Sequence, residues 1–168
     1  MINSKYSSVD YCTFDCSEKL LLSEDNSFYY AAISGDKYPI IDGIPRFCPQ
    51  DNYSKSFGYQ WNLFDRNQLD IYSGVDQSYH RFYTETLWDP EELSRCTVLE
   101  VGSGAGRFTE VFLRTTTGFL HSVDYSSAVE VNLCNNWAYA ERLKIAQASV
   151  YELPFPDNSF DKIFCLGV

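Results

Sequence analysis

The sequence predicts an α/β protein: a doubly wound parallel sheet of about four strands, preceded by a small β-rich lobe and by helices. Three observations carry this. The apolar, β-branched run Thr97–Val101 enters a glycine-rich turn and leaves as an amphipathic helix. Strand and helix patterns then alternate to the last residue, the signature of parallel strands joined by right-handed crossovers. Before this region, residues 1–50 hold short aromatic and apolar runs punctuated by turn residues. The expected division is a β-rich lobe at 1–50, a helical, aromatic-rich cap or linker at 51–95, and a ligand-binding α/β domain at 96–168.

Within the lobe, Phe28–Ile33 and Tyr38–Ile41 read as strands, Ser34-Gly-Asp-Lys as a turn, and Asp42-Gly43 as a tight hairpin. Cys12 and Cys16 have the spacing of half a zinc site, because two thiolates a few residues apart can fill adjacent corners of a tetrahedron. Structural zinc needs four ligands and no second pair follows, so these are read as unpaired thiols and no metal is expected. Asp51–Ser56 reads as a polar loop. The aromatic run Phe57–Phe64 either covers the main core or caps a ligand cleft. Val75, Tyr79, Phe82, Tyr83 and Leu87 recur at helical spacing, which places His80 and Arg81 on that helix beside its apolar face. Asp89-Pro90 starts the next helix, with aspartate as N-cap and proline at the first helical position.

After the strand at Thr97–Val101, Phe108, Val111 and Phe112 share one helical face. Gly118–Val123 forms a second strand ending at Asp124, and Ser127 with Glu130 has the capping-box pattern for a helix carrying Val129, Val131 and Leu133. Leu143–Ala148 is a third strand. Pro154, Pro156 and Asp157-Asn158-Ser159 form a loop, and Phe160–Leu166 is a fourth strand.

Composition narrows the partners. With 23 acidic and 13 basic residues the net charge is −10, which opposes nucleic-acid binding, since phosphate neutralisation needs clustered Lys and Arg. A small-molecule partner fits better. No run approaches the roughly 18 apolar residues of a membrane span, and the first residues lack a signal-peptide pattern. Six scattered cysteines argue against a disulfide framework, so a cytoplasmic location with reduced thiols is expected.

The glycine turn Gly102-Ser-Gly-Ala-Gly106 is built for close approach, since glycine accepts positive φ and carries no Cβ. Backbone N–H groups at a helix N-terminus are then expected to face the ligand. Twenty residues separate Gly104 from Asp124, a spacing that suits a ribose clamp with the second-strand carboxylate on the sugar hydroxyls. The competing reading of Asp124 is a helix N-cap or turn residue. A dinucleotide fingerprint would need glycine at 107, where the chain has Arg107.

The pattern V-L-E-V-G-S-G-A-G at 98–106 resembles motif I of class I S-adenosylmethionine-dependent methyltransferases, of the methyltransferase type 11 kind. His121–Ser126 looks like the second motif, while Gln147–Phe155 and Phe160–Gly167 are similar to the third and fourth segments. The resemblance implies a Rossmann-like sheet, S-adenosyl-L-methionine as cofactor, and methyl transfer to a small-molecule acceptor. It places Glu100, Gly102, Ser103, Gly104, Gly106, Asp124, Tyr125, Ser149, Val150 and Leu166 at the cofactor, with Asp124 on the ribose and Tyr125 beside the adenine. Glu100 either orients the loop or approaches the methionine amino group through an intermediary, or is a structural acceptor for backbone N–H groups. Ser149 stands where relatives commonly carry an aspartate for the adenine amino group, so adenine recognition would fall to the Val150 backbone and packing. Tyr38–Phe47 resembles the end of a zinc-ribbon-like lobe that precedes the domain in some relatives and that here lacks its second cysteine pair. Members of the class have seven strands, so the domain reads as truncated after the fourth, either as a fragment of a longer enzyme or as a non-catalytic module acting through association. The open edge at residues 160–166 is expected to mediate self-association.

Overall fold

The computed structural model describes residues 9–49 and 69–168; the aromatic run Phe57–Phe64 and the polar stretch before it lie outside the described residues. The first unit is an antiparallel meander of β1 (Leu21–Leu22), β2 (Phe28–Tyr30), β3 (Lys37–Ile41) and β4 (Ile44–Pro45), paired in chain order. Asp42 and Gly43 both have positive φ, 51° and 79°, as a two-residue hairpin turn matched to strand twist requires. The strand expected to reach Ile33 stops at Tyr30. There the chain turns, Gly35 N–H bonding Ala31 O, and the Glu18 carboxylate accepts from Ile33 N–H at 2.7 Å.

Helices α1 (Asp70–Ser73), α2 (Gln77–Thr86) and α3 (Pro90–Leu93) follow. The expected apolar stripe of α2 is cut at both ends: Val75 precedes the helix, Leu87 leaves it at φ 55°, and both are exposed. Phe82 is fully buried, with Tyr79 and Tyr83 packed against the core. At α3 the Asp89 carboxylate accepts from Glu91 N–H at 2.7 Å with Pro90 in the first turn, the cap the sequence predicts.

The second unit alternates β5 (Thr97–Val101), α4 (Arg107–Thr115), β6 (Phe119–Asp124), α5 (Ala128–Asn135), a single 3₁₀ turn at Trp137–Tyr139, β7 (Leu143–Gln147) and β8 (Lys162–Phe164). All pairings are parallel and the strand order is β7-β6-β5-β8, so the connections reverse direction between β5 and β8. Two expectations are corrected. The fourth strand is shorter than 160–166: three residues pair with Val98–Glu100, preceded by Asp161, whose carboxylate and N–H bond Thr97. The Ser127/Glu130 capping box does not form. Ser126 Oγ instead accepts from Ala128 N–H, and Glu130 reaches out to Arg46.

The two sheet faces are covered differently. Val98, Leu120, Leu143 and Ile145 pack under α4 and α5 with Val111, Phe112 and Val129. Leu99, Val101, Val123, Ala146 and Ala148 face Tyr11, Leu20 and Ala31 of the lobe and Phe155 of the loop before β8. Among the described residues, the lobe occupies the face that a doubly wound sheet covers with helices. It also caps an edge: Arg46 bridges to Gln147 in parallel register, and Phe47 N–H bonds Gln147 O at 2.8 Å.

Candidate functional site

The turn from β5 to α4 has φ of 77°, 51° and 88° at Gly102, Gly104 and Gly106, a region that side-chain-bearing residues rarely adopt. Four of the N–H groups of the turn are directed inward. Those of Gly102 and Ser103 bond Val123 O, that of Gly104 bonds Asp124 Oδ2 at 2.8 Å, and that of Gly106 bonds Ser103 O. These glycines therefore shape the site by bareness of backbone, with the donors of Gly102 and Gly104 holding the turn to the end of β6 and that of Gly106 closing the turn on itself. A Cβ at Gly106 would lie 2.2 Å from Asn132 Oδ1, and one at Gly102 2.1 Å from the Val168 side chain. Gly106 is thus required by packing from below, and Gly102 by contact from the open side.

Asp124 ends β6 beside this turn. Its Oδ1 accepts from Ser126 N–H and Oγ at 2.8 and 2.7 Å, and Oδ2 from Gly104 N–H. The carboxylate is half-buried, held in one orientation, and lines a cleft of about 360 Å³ together with Gly102, Tyr125, Ser149, Val150 and Val168. A carboxylate has about four lone-pair positions, so these three bonds leave room for a hydroxyl donor from a ligand. Ser149 Oγ accepts from Tyr151 N–H in a local turn, and Val150 is exposed at the cleft wall.

A second, smaller hollow lies on the other side of the turn, lined by Ser103, Ala105, Arg107, Leu166 and Arg81. Ser103 Oγ is buried there with no hydrogen-bond partner among the described residues. Arg107 donates to Ser78 and Arg81 to Glu85, each with one Nε, and both guanidinium groups lie over the Phe108 ring. Two cations thus flank a turn in an otherwise acidic chain. Sequence reading placed Arg81 only on a helix beside an apolar face and used Arg107 only to exclude a dinucleotide. The position of Arg107 directly after the last glycine was the available signal; Arg81 reaches the turn through tertiary packing, which no local pattern reveals. His80, on the same helix, is exposed.

Glu100 lines neither hollow. It points beneath the turn, 2% exposed, where the Thr109 and Ser122 hydroxyls donate to its Oε2. Asn132 Nδ2 donates to both of those hydroxyls, and Asn136 Nδ2 links Asn132 Oδ1 to Gly106 O. Burial pushes the Glu100 carboxyl up to about 7, against the lowering effect of its hydroxyl donors. Glu100 thus accepts from side-chain hydroxyls and anchors a polar network that supports the turn from below.

The Cys12 and Cys16 sulfurs lie 3.2 Å apart as free thiols, and burial first and the Cys16 thiol second push the Cys12 thiol up to about 12. No group of three metal-binding side chains occurs among the described residues, and none of their helices is long and apolar enough to cross a membrane.

With strand order, glycine turn and Asp124 in place, comparison with known proteins is informative. Residues 99–168 match the methyltransferase domain family. That segment carries the class I methyltransferase fold. The match covers the β5 to β8 unit and excludes the lobe. Among solved structures, the methyltransferase-like unit and its surroundings resemble a candidate S-adenosyl-L-methionine-dependent methyltransferase from Methanococcus maripaludis, at 17% identity and TM-score 0.52 over 71% of this chain and 53% of that one. The YcgJ protein from Bacillus subtilis aligns at 28% identity and TM-score 0.44 over 54% of this chain and 38% of that one. The [4+2]-cyclase SpnF aligns at 18% identity and TM-score 0.48 over 68% of this chain and 50% of that one. The chain thus spans about half or less of the length of these solved relatives. No curated protein sequence matches it.

Proposed function

We propose that this chain binds S-adenosyl-L-methionine across the Gly102–Gly106 turn and is the cofactor-holding part of a methyltransferase for a small-molecule acceptor. The observation that carries the reading is the juxtaposition of a bare glycine turn with the fixed Asp124 carboxylate, at the carboxyl ends of adjacent parallel strands beside the point where strand order reverses. The unpartnered Ser103 hydroxyl and the two flanking arginines fit a ligand with polar groups at both ends. Bound there, the cofactor would supply a methyl group on a sulfonium, open to in-line displacement by a nucleophile.

The chain's own residues bind and orient. Asp124 accepts from ribose hydroxyls, Tyr125 and Val150 border the adenine, and Arg81 and Arg107 attract the carboxylate of the methionine end. Leu166 and Gly102, which line the smaller hollow, would border the sulfonium. Catalysis in such a site comes largely from holding reactants in line. The net charge of −10 supports a small acceptor over a nucleic acid, and six scattered cysteines suit a reducing, cytoplasmic setting.

Isothermal calorimetry with S-adenosylhomocysteine tests the reading. The chain is expected to bind, and Asp124→Ala, checked for native circular dichroism, to lose most of that affinity. No heat from the parent chain overturns the proposal.

A second reading, a non-catalytic module acting through association, is favoured by one feature. Among the described residues β8 is bonded to β5 alone, and Ile163 on it is 57% exposed. Light scattering at rising concentration is expected to show a dimer through residues 160–166. A monomer throughout contradicts that surface.

A further inference from the structure

Arg46 is an unusual residue to find at the junction of lobe and sheet. It is 3% exposed and its charge is matched by one carboxylate, Glu130 Oε1, at 2.6 Å from Nη2. Its Nε has no partner among the described residues. A buried pair of this kind is weak support for stability, because desolvation offsets most of the attraction and packed apolar groups often do as well. What the arrangement does hold is position. Nη1 donates to Gln147 Oε1 at 3.1 Å, and Gln147 Nε2 donates to Tyr125 O at 2.9 Å. The next lobe residue, Phe47, donates its N–H to Gln147 O.

These bonds converge on the two segments that wall the 360 Å³ cleft: Asp124-Tyr125 at the end of β6, and Ala148-Ser149-Val150 after β7. The two walls meet directly where Ala148 N–H bonds Asp124 O, at the end of the ladder that pairs Asp124 with Gln147. Ser149 contributes no carboxylate to the cleft, so the positions of its walls matter more. We infer that Arg46 is a positioning residue for the cofactor: through Gln147 it sets the Tyr125 carbonyl, making the lobe an integral part of the adenosine end of the site. This rests on the proposed cofactor reading.

The experiment compares three variants of the full chain by S-adenosylhomocysteine calorimetry and by hydrogen exchange. Arg46→Met breaks both arms, Gln147→Leu breaks only the Tyr125 arm, and Glu130→Gln removes the ion pair and spares that arm. Arg46→Met and Gln147→Leu should weaken binding about ten-fold, the equivalent of about 1.4 kcal/mol. Glu130→Gln should stay within about two-fold even where it lowers thermal stability. Arg46→Lys, able to reach one acceptor, should not restore affinity. Exchange reads the coupling without ligand: Arg46→Met and Gln147→Leu should speed exchange at Ser126 and Ala148, with α4 amides unchanged. Equal losses in Glu130→Gln and Gln147→Leu, or native affinity in Arg46→Met, overturn the inference. If the parent chain binds no ligand, the cofactor reading fails by itself, and exchange alone decides the coupling: unchanged rates at Ser126 and Ala148 overturn it.

Discussion

The two faces of the parallel sheet are built from different materials. Under α4 and α5 lie aliphatic and aromatic side chains at helical spacing and, at their upper end, the polar network of Glu100, Thr109, Ser122, Asn132 and Asn136. On the lobe side lies an aromatic cluster: Tyr11 against Tyr29, Phe47 and Phe155, with His121 edge-on to Phe155 and Phe160. One face shapes the glycine turn from below. The other packs the lobe against the sheet, and at the sheet edge Arg46 and Gln147 hold the cleft walls from the side. The difference teaches that the lobe completes the core of the sheet, so its loss should be felt by the whole unit.

The strongest test of that comparison is truncation of one central residue on each face. Phe112→Ala, on the helix face, and Tyr11→Ala, on the lobe face, should each cost about 3–5 kcal/mol, the usual range for deleting a buried aromatic ring. Each should unfold in one transition, seen at the same urea concentration by tryptophan fluorescence and far-ultraviolet dichroism. A separate low-urea transition in Tyr11→Ala would show that the lobe is merely appended.

A smaller effect is expected at Gly106. Alanine there meets Asn132 and Asn136 and must hold φ 88°, costing about 1–3 kcal/mol. At Gly35, at φ 81° with open space around it, the same change should cost only the backbone part, about 1–2 kcal/mol. Equal losses in thermal unfolding would remove the packing role assigned to the asparagines.

The faces should also answer pH with opposite signs. Burial raises Glu100 from 4.5 to about 7, so between those values the folded state holds more protons and stability falls as pH rises; Glu100→Gln should remove that decline. Burial, with Lys144 nearby, lowers His121 from 6.5 to about 3. Its Nε2 accepts from Val9 N–H, which a protonated ring cannot do. Stability should therefore fall as pH drops from 6.5 towards 3, and His121→Gln should flatten that limb. Melting temperatures across pH 3–8 read both; parallel slopes in the two variants contradict the assignment.

Much of the fold was legible because it rests on local signals. The periodicity of Phe108, Val111 and Phe112, the Asp89-Pro90 cap and the Asp42-Gly43 turn each encode their conformation within a few residues. What stayed hidden depends on distant partners. Phe160 reads as strand, yet its ring joins the cluster of Phe155 and His121. Glu130 reads as a cap, yet it pairs with Arg46, 84 residues away. In the candidate site, spacing brought Gly104 and Asp124 to notice and the structure joins them, while Arg81 and Arg46 gave no local signal, since only tertiary packing brings α2 to the turn and the lobe to Gln147.

The most direct test of the central claim is a nitrogen-15 correlation spectrum of the labelled chain titrated with S-adenosylhomocysteine. The account predicts saturable shifts at Gly104, Tyr125, Val150 and Leu166, smaller ones at Phe47 and Gln147, and none on the far end of α4. Absence of shifts at saturating ligand, or shifts confined to residues away from the glycine turn, would contradict it.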